Sequence, residues 1–206
     1  MSDLGRSGRV GPVARAWGVL FRTEVEWEVI DGESATVLGL FVGYACILAA
    51  IRPLAEIPQN MLLIHWKPAP ILEIAALRYA GSLIGVFVVG LVINALAPVY
   101  HGEKNLVQAM KLSVYYHTAG WVVGFLYIMP IPGFLAMIGG LYGLYILLLG
   151  LPTLMKSARE ETAGYFVGVA FAGFAIGAVT GWMINMISLY LLQGAPLTAA
   201  SATFGR

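Results

Sequence analysis

The sequence predicts an all-α fold: a polytopic membrane bundle of five transmembrane helices behind an N-terminal amphipathic interfacial helix. Three observations carry that expectation. Only 11% of the 206 residues are charged, against roughly 25% in soluble domains, and the mean hydropathy is +0.82. A water-soluble core of this length cannot absorb that much apolar surface. From Leu96 to Met155, two long apolar runs are joined only by Pro130-Ile131-Pro132, a connection too short to be anything but the tip of a membrane hairpin. Finally, the basic residues outside the apolar runs fall mostly on alternate connections, as multi-pass topology requires.

Residues 1–16 are rich in Gly and Arg and are expected to form a disordered cytoplasmic tail. No charged start leads straight into an apolar core, so no cleaved leader is expected. Residues 17–33 set Trp17, Leu20, Phe21 and Trp27 among Arg22, Glu24, Glu26 and Glu28, which suits a helix lying in the headgroup zone. The transmembrane domain is expected over 34–192, with spans at about 36–57, 72–97, 107–129, 134–151 and 163–192. Arg52 and Glu56 close the first span four residues apart, on one helical face. Residues 58–69 read as a loop, with Trp66 and Lys67 as an interfacial anchor. The stretch between Pro70 and Pro98 is longer than the ~30 Å hydrocarbon layer needs, so its first turns, with Glu73, protrude or the helix tilts. A polar turn at Tyr100–Asn105 leads into the third span, Leu151–Thr162 forms a polar loop, and 193–206 reads as a loose tail.

Five spans put the termini on opposite sides. One side gathers Arg6, Arg9, Arg15, Arg22, Lys104, Lys111, Lys156 and Arg159; the other gathers Arg52, Lys67 and Arg206. The positive-inside rule then places the N-terminus in the cytoplasm and the C-terminus across the membrane.

Small residues let helices approach closely in lipid, and the Gly139/Gly143 pair and the Gly173/Gly177/Gly181 run are expected to be packing faces. Polar groups inside spans are costly unless paired or wetted, which singles out Glu73, Arg78, Asn94, His117 and Asn185. Arg78 reads first as a group that snorkels to the outer interface or pairs with Glu73 or Glu56, and second as a group lining a polar cavity. Lys111, one turn inside the third span, is expected to snorkel to the headgroups. His101, Lys104, Lys111, Lys156 and Arg159 make a candidate cytoplasmic face for a partner or anionic lipid.

Catalytic constellations are not found: no HExxH, GxSxG or phosphate-loop pattern is present. His101 and His117 are sixteen positions apart with no companion ligands nearby, so neither a metal nor another cofactor is expected. Cys46 stands alone in an apolar run. A net charge of +1 gives no footprint for nucleic acid. The partners expected are membrane lipids, another membrane protein or a second copy of the chain.

The stretch LAPVYHGEKNLVQAMKLSVYYHTAGWVVGFLYIMPIPG, followed by GGLYGLYILLLGLPTLMKSAREETAGY, resembles the bacterial branch of the Yip-domain family. The carriers are Gly102 in the turn, Met110 to Tyr115, the Leu141-Tyr142-x-x-Tyr145 and Gly150-Leu151-Pro152 pattern, Gly164-Tyr165, and Trp27, Ile30 and Glu33 ahead of the first span. The resemblance covers about residues 17–190. It implies a five-span, non-enzymatic scaffold or organising protein of the bacterial inner membrane. Eukaryotic relatives interact with Rab GTPases, but their Asp-Leu-Tyr-Gly-Pro segment is missing here. His101 occupies a turn position often held by Gly or a bulkier residue, and Thr118-Ala119-Gly120 stands where a Pro before the Trp is common. The resemblance therefore implies fold and topology more than partner. The competing expectation is a small oligomeric transporter or channel with a polar path near Arg78.

Overall fold

The structure, a computed structural model, describes residues 11–62, 68–129 and 133–203. The anchor pair Trp66/Lys67, the Pro130–Pro132 tip and the first ten residues lie outside those ranges. Every regular element described is helical. Among the described residues, four helices are long and apolar enough to cross a membrane: Val37–Met61, Pro70–Tyr100, Met137–Met155 and Thr162–Leu192. Their outer faces stay apolar, with Phe171, Phe174, Trp182 and Tyr190 exposed along the last helix alone. Such a surface is stable in hydrocarbon and not in water.

The first of these begins as α3 (Val37–Leu40), capped by the Thr36 hydroxyl. It passes through a π turn at Phe41–Ala45 into α4 (Cys46–Ala49) and α5 (Ile51–Leu62). The π turn offsets Tyr44 so that its hydroxyl meets Thr118 at 2.8 Å, both buried. Helix α5 continues past Pro53 and Pro58 to Leu62, so helix occupies the first part of the loop expected over 58–69. The next crossing helix is α6 (Pro68–Leu96), which tightens into a 3-10 turn at Ala97–Tyr100.

The third apolar segment is not one helix, as expected, but three pieces. Helix α7 (Leu106–Tyr116) and α8 (Thr118–Val123) meet at a kink, and a 3-10 stretch follows over Gly124–Ile128. His117 causes the break. Its Nδ1–H donates to the Ser113 carbonyl at 2.7 Å, displacing the backbone N–H, which bonds the Tyr115 carbonyl instead. A side chain inserted into the i→i−4 ladder is a recognised source of kinks. The segment still spans about 37 Å at ordinary helical rises.

Helix α9 (Gly133–Met155) carries Pro152 in its last turns and stops at Lys156, which takes a left-handed conformation at φ 52°. Helix α10 runs Thr162–Thr203, so helix replaces the loose tail expected from residue 193. It packs mainly on α6 and less on α9. The core centres on α7, where Ala109, Met110, Leu112 and Val114 are fully buried among α2, α6 and α9.

The N-terminal lead-in corrects two expectations. Residues 12–16 are helical rather than disordered, and the lead-in is a pair of helices, α1 (Pro12–Phe21) and α2 (Thr23–Gly32), broken at Arg22. Its apolar residues also do not all face lipid. Trp17 and Phe21 are exposed, but Trp27 and Ile30 are buried in the bundle.

Candidate functional site

Two polar constellations stand at opposite ends of the bundle. The first, at the Lys156 end, fastens the lead-in to α7 and α9. Thr23, Trp27 and Ile30 lie on one face of α2, and all three are buried. The Trp27 indole N–H donates to the Ile146 carbonyl at 3.2 Å, and Gly150 makes room for its ring: a Cβ there would sit 2.7 Å from the indole. The Tyr142 hydroxyl donates to the Leu20 carbonyl in α1.

Ionic contacts complete the fastening. Lys111 is 2% exposed, and its ammonium donates to the carbonyls of Ile30 (2.7 Å) and Glu33 (2.6 Å) at the C-terminal end of α2. This overturns the expectation of a snorkelling lysine: a helix end with unsatisfied carbonyls and negative dipole offered closer partners than the headgroups. Lys156 pairs with Asp31 at 2.5 Å and donates to the Thr153 carbonyl, contacts that hold its left-handed turn. Gln108 donates to both the carbonyl and the carboxylate of Asp31. Arg15 bridges Glu26 and Glu33. Burial works against the Arg15 charge, but the hydrogen bond and charge of Glu33, helped by Tyr115 and Glu26, outweigh it and hold the guanidinium above its ordinary range. Sequence reasoning missed Arg15, Asp31 and Gln108; the available signal was the i, i+4, i+7 spacing of Thr23, Trp27 and Ile30, which marks a buried face.

Beside this lock, the turn after α6 is seated against the end of α9. His101 is left-handed at φ 53°. A Cβ on Gly102 would fall 2.8 Å from the Met155 carbonyl, which already accepts from Glu103 N–H at 2.7 Å. Of the candidate face, Lys111 is thus internal and Lys156 is tied to Asp31. His101 stands 3.7 Å from Glu161, while Lys104 and Arg159 are exposed.

At the other end, Glu56 is 8% exposed and one of its oxygens receives both Arg52 (2.9 Å) and Arg78 (3.1 Å). Arg52 also lies over the Tyr127 ring at 4.3 Å, a cation–π contact. Glu73 is exposed on α6 and takes no part, which decides between the two pairings open to Arg78. Arg78 Nε and Asn94 Oδ1 are buried without a protein partner.

The two arginines border a cavity of about 530 Å³ between α5, α6, the α7–α8 kink and α10. Its lining brings together Arg78, His117 and Asn185 of the sequence candidates, and leaves out Glu73 and Asn94. Because His117 Nδ1 is spent on Ser113, Nε2 is the ring nitrogen left for other partners. Ser82 accepts from the Trp121 indole at 3.1 Å, so its own hydroxyl hydrogen remains available.

The glycines divide accordingly. A Cβ on Gly139 would meet Val123 at 2.9 Å, and on Gly143 the Tyr116 carbonyl at 2.8 Å, so both lie at close helix contacts. Gly173 makes only ordinary contact with Tyr116, and nothing lies within 4 Å of a Cβ at Gly177 or Gly181. Their spacing predicts packing positions, but within this chain those two do not pack; they border the cavity.

The comparisons with known proteins agree with this architecture. The model of the Yip1 domain family matches residues 17–181, from the lead-in to the cavity-lining part of α10. The chain is similar to the inner membrane protein YohC of Escherichia coli strain K12, at 26% identity over 163 aligned residues covering 72% of this chain and 83% of that one. The same figures hold for YohC of Escherichia coli strain O6:H1. No solved structure matches. A multi-pass helical membrane protein matched by the family model from Trp17 to Gly181, the chain belongs to the Yip1 domain family.

Proposed function

We propose that this protein is a non-enzymatic organising protein of the bacterial inner membrane, which binds partners through a preassembled face at its Lys156 end. In this reading the kinked α7–α8 segment is the fifth span, the lead-in lies at the cytoplasmic interface, and the C-terminus is on the far side. The observation that carries it is the lock on α2. Lys111, Gln108, Lys156 and Arg15 use their charges and donors to fix the lead-in, which makes a rigid platform of the segment expected to lie as an interfacial helix. Rigid surfaces bind at lower entropic cost than flexible ones. His101, Lys104 and Arg159 remain at the surface for recognition. The inner-membrane name of the relative and the alternating basic residues support the location and orientation. Photo-crosslinking from positions 103 and 160, the exposed neighbours of Lys104 and Arg159, in intact membranes tests this. A discrete adduct, lost on Lys104→Glu with Arg159→Glu, is expected; a chain that crosslinks to no protein overturns it.

The second reading, a small oligomeric transporter, is favoured by the cavity beside Arg78. Solute flux in proteoliposomes that disappears in Arg78→Ala would support it. Absence of any flux, with Arg78→Ala behaving like the parent, would remove it.

A further inference from the structure

The cavity at the Arg78 end has a chemistry that neither reading of the protein requires. Its lining holds two arginines and no carboxylate; Glu56, bonded to both arginines, lines a separate crevice. One carboxylate shared by two guanidiniums leaves an excess positive charge at the mouth. Three other polar groups there can donate, the Asn185 amide, the free hydroxyl hydrogen of Ser82 and the hydroxyl of Thr180, against one ring acceptor, His117 Nε2. Arg78 also keeps a buried N–H with no protein partner. A site rich in donors and positive in charge recognises an anion, and guanidinium pairs suit phosphate in particular.

The volume says what kind of anion. About 530 Å³ falls within the ~300–1,000 Å³ typical of ligand pockets, and a free phosphate would leave most of it empty. Beyond the arginines the walls are Val86, Val89, Ile176, Ile184 and bare glycine backbone. Gly177 and Gly181 have open space where a side chain would stand, so the cavity is kept clear by residue choice. We infer that this cavity binds a phosphate-bearing amphiphile, an anionic phospholipid, with its phosphate on Arg52 and Arg78 and the start of its apolar portion along the glycine face of α10. The site is remote from the Lys156 end and requires no transfer across the membrane.

The test uses the full chain in nanodiscs of phosphatidylcholine with a minor fraction of phosphatidylglycerol, followed by native mass spectrometry of what stays bound on release. One phosphatidylglycerol per chain is expected. Its retention should fall at least ~10-fold in Arg78→Gln and equally in Gly177→Leu, which blocks the space without touching a charge. Arg22→Gln, an exposed lead-in arginine at the opposite end, should leave it unchanged. The thermal midpoint of each variant checks that it is folded, and nothing lies within 4 Å of a Cβ at position 177, so Gly177→Leu stays informative if Arg78→Gln is unstable. Equal retention in all variants overturns the inference. So does Arg78-dependent binding of inorganic phosphate with no retained lipid, which would make the ligand a free anion. Flux and crosslinking play no part in this readout, so its failure is distinct from failure of either functional reading.

Discussion

Replacing Lys111 by Met isolates the contribution of one buried ammonium. The side chain is 2% exposed, and methionine keeps its unbranched shape, so packing changes little. What disappears is the donor to the carbonyls of Ile30 and Glu33, at 2.7 and 2.6 Å. Leaving a buried acceptor unsatisfied costs about 1–3 kcal/mol. Some relief is available because the Glu33 side chain is partly exposed and water can reach that carbonyl. The expected loss is therefore about 2–4 kcal/mol. Lys156→Met is the matched control: it also removes an ammonium from α2, but from a pair 46% and 27% exposed, where about 0–1 kcal/mol is at stake. Denaturant unfolding in detergent gives both values, and hydrogen exchange over Glu26–Glu33 shows whether α2 itself loosens. If Lys111→Met and Lys156→Met differ by less than about 0.5 kcal/mol, Lys111 is not acting as a buried cap, and the lock as described is wrong.

Three further outcomes follow from the same geometry. Trp27→Ala should cost about 3–5 kcal/mol, the range for deleting a buried aromatic, and should expose the lead-in to protease while α6 and α10 stay protected. Glu56→Gln should destabilise by about 1–2 kcal/mol, because two guanidiniums then share a neutral amide, whereas Arg52→Gln should cost less than about 1 kcal/mol given its exposure; the order, read from thermal midpoints, is the point to check. In a Cys46→Ser background, a membrane-impermeant maleimide should label Gln59→Cys in intact cells and Lys104→Cys only after permeabilisation. The opposite pattern would invert the proposed orientation.

The crossing helices were legible because their runs are apolar over the length of a membrane crossing and are punctuated by proline or polar turns. Gly102 was legible as part of a pattern, and the carbonyl of Met155 now gives its physical reason. The kink at His117 was not, since no proline marks it; the cause is a rotamer that takes the Ser113 carbonyl, and rotamers are set by neighbours absent from the local sequence. Lys111 was misread because its position one turn inside a span fits two fates, and only the docked end of α2 favours burial. Gly177 and Gly181 show the same limit. A glycine at helical spacing reports that one face is bare; whether a helix or a void stands opposite is decided by where α10 meets α6 and α9.

The lock on α2 also has a consequence for biosynthesis. Asp31 finds Lys156 across 125 residues, and Trp27 finds Ile146 across 119. At ~5–20 residues per second, the seat for the lead-in emerges roughly 6–25 s after the lead-in itself. Throughout that interval Trp27 and Ile30 have at most the α7 side of their pocket, and must be sheltered by the membrane surface or by whatever handles the nascent chain. The first helices made must wait for α9 to be placed, so a chain cut short before α9 has an N-terminus without its full seat.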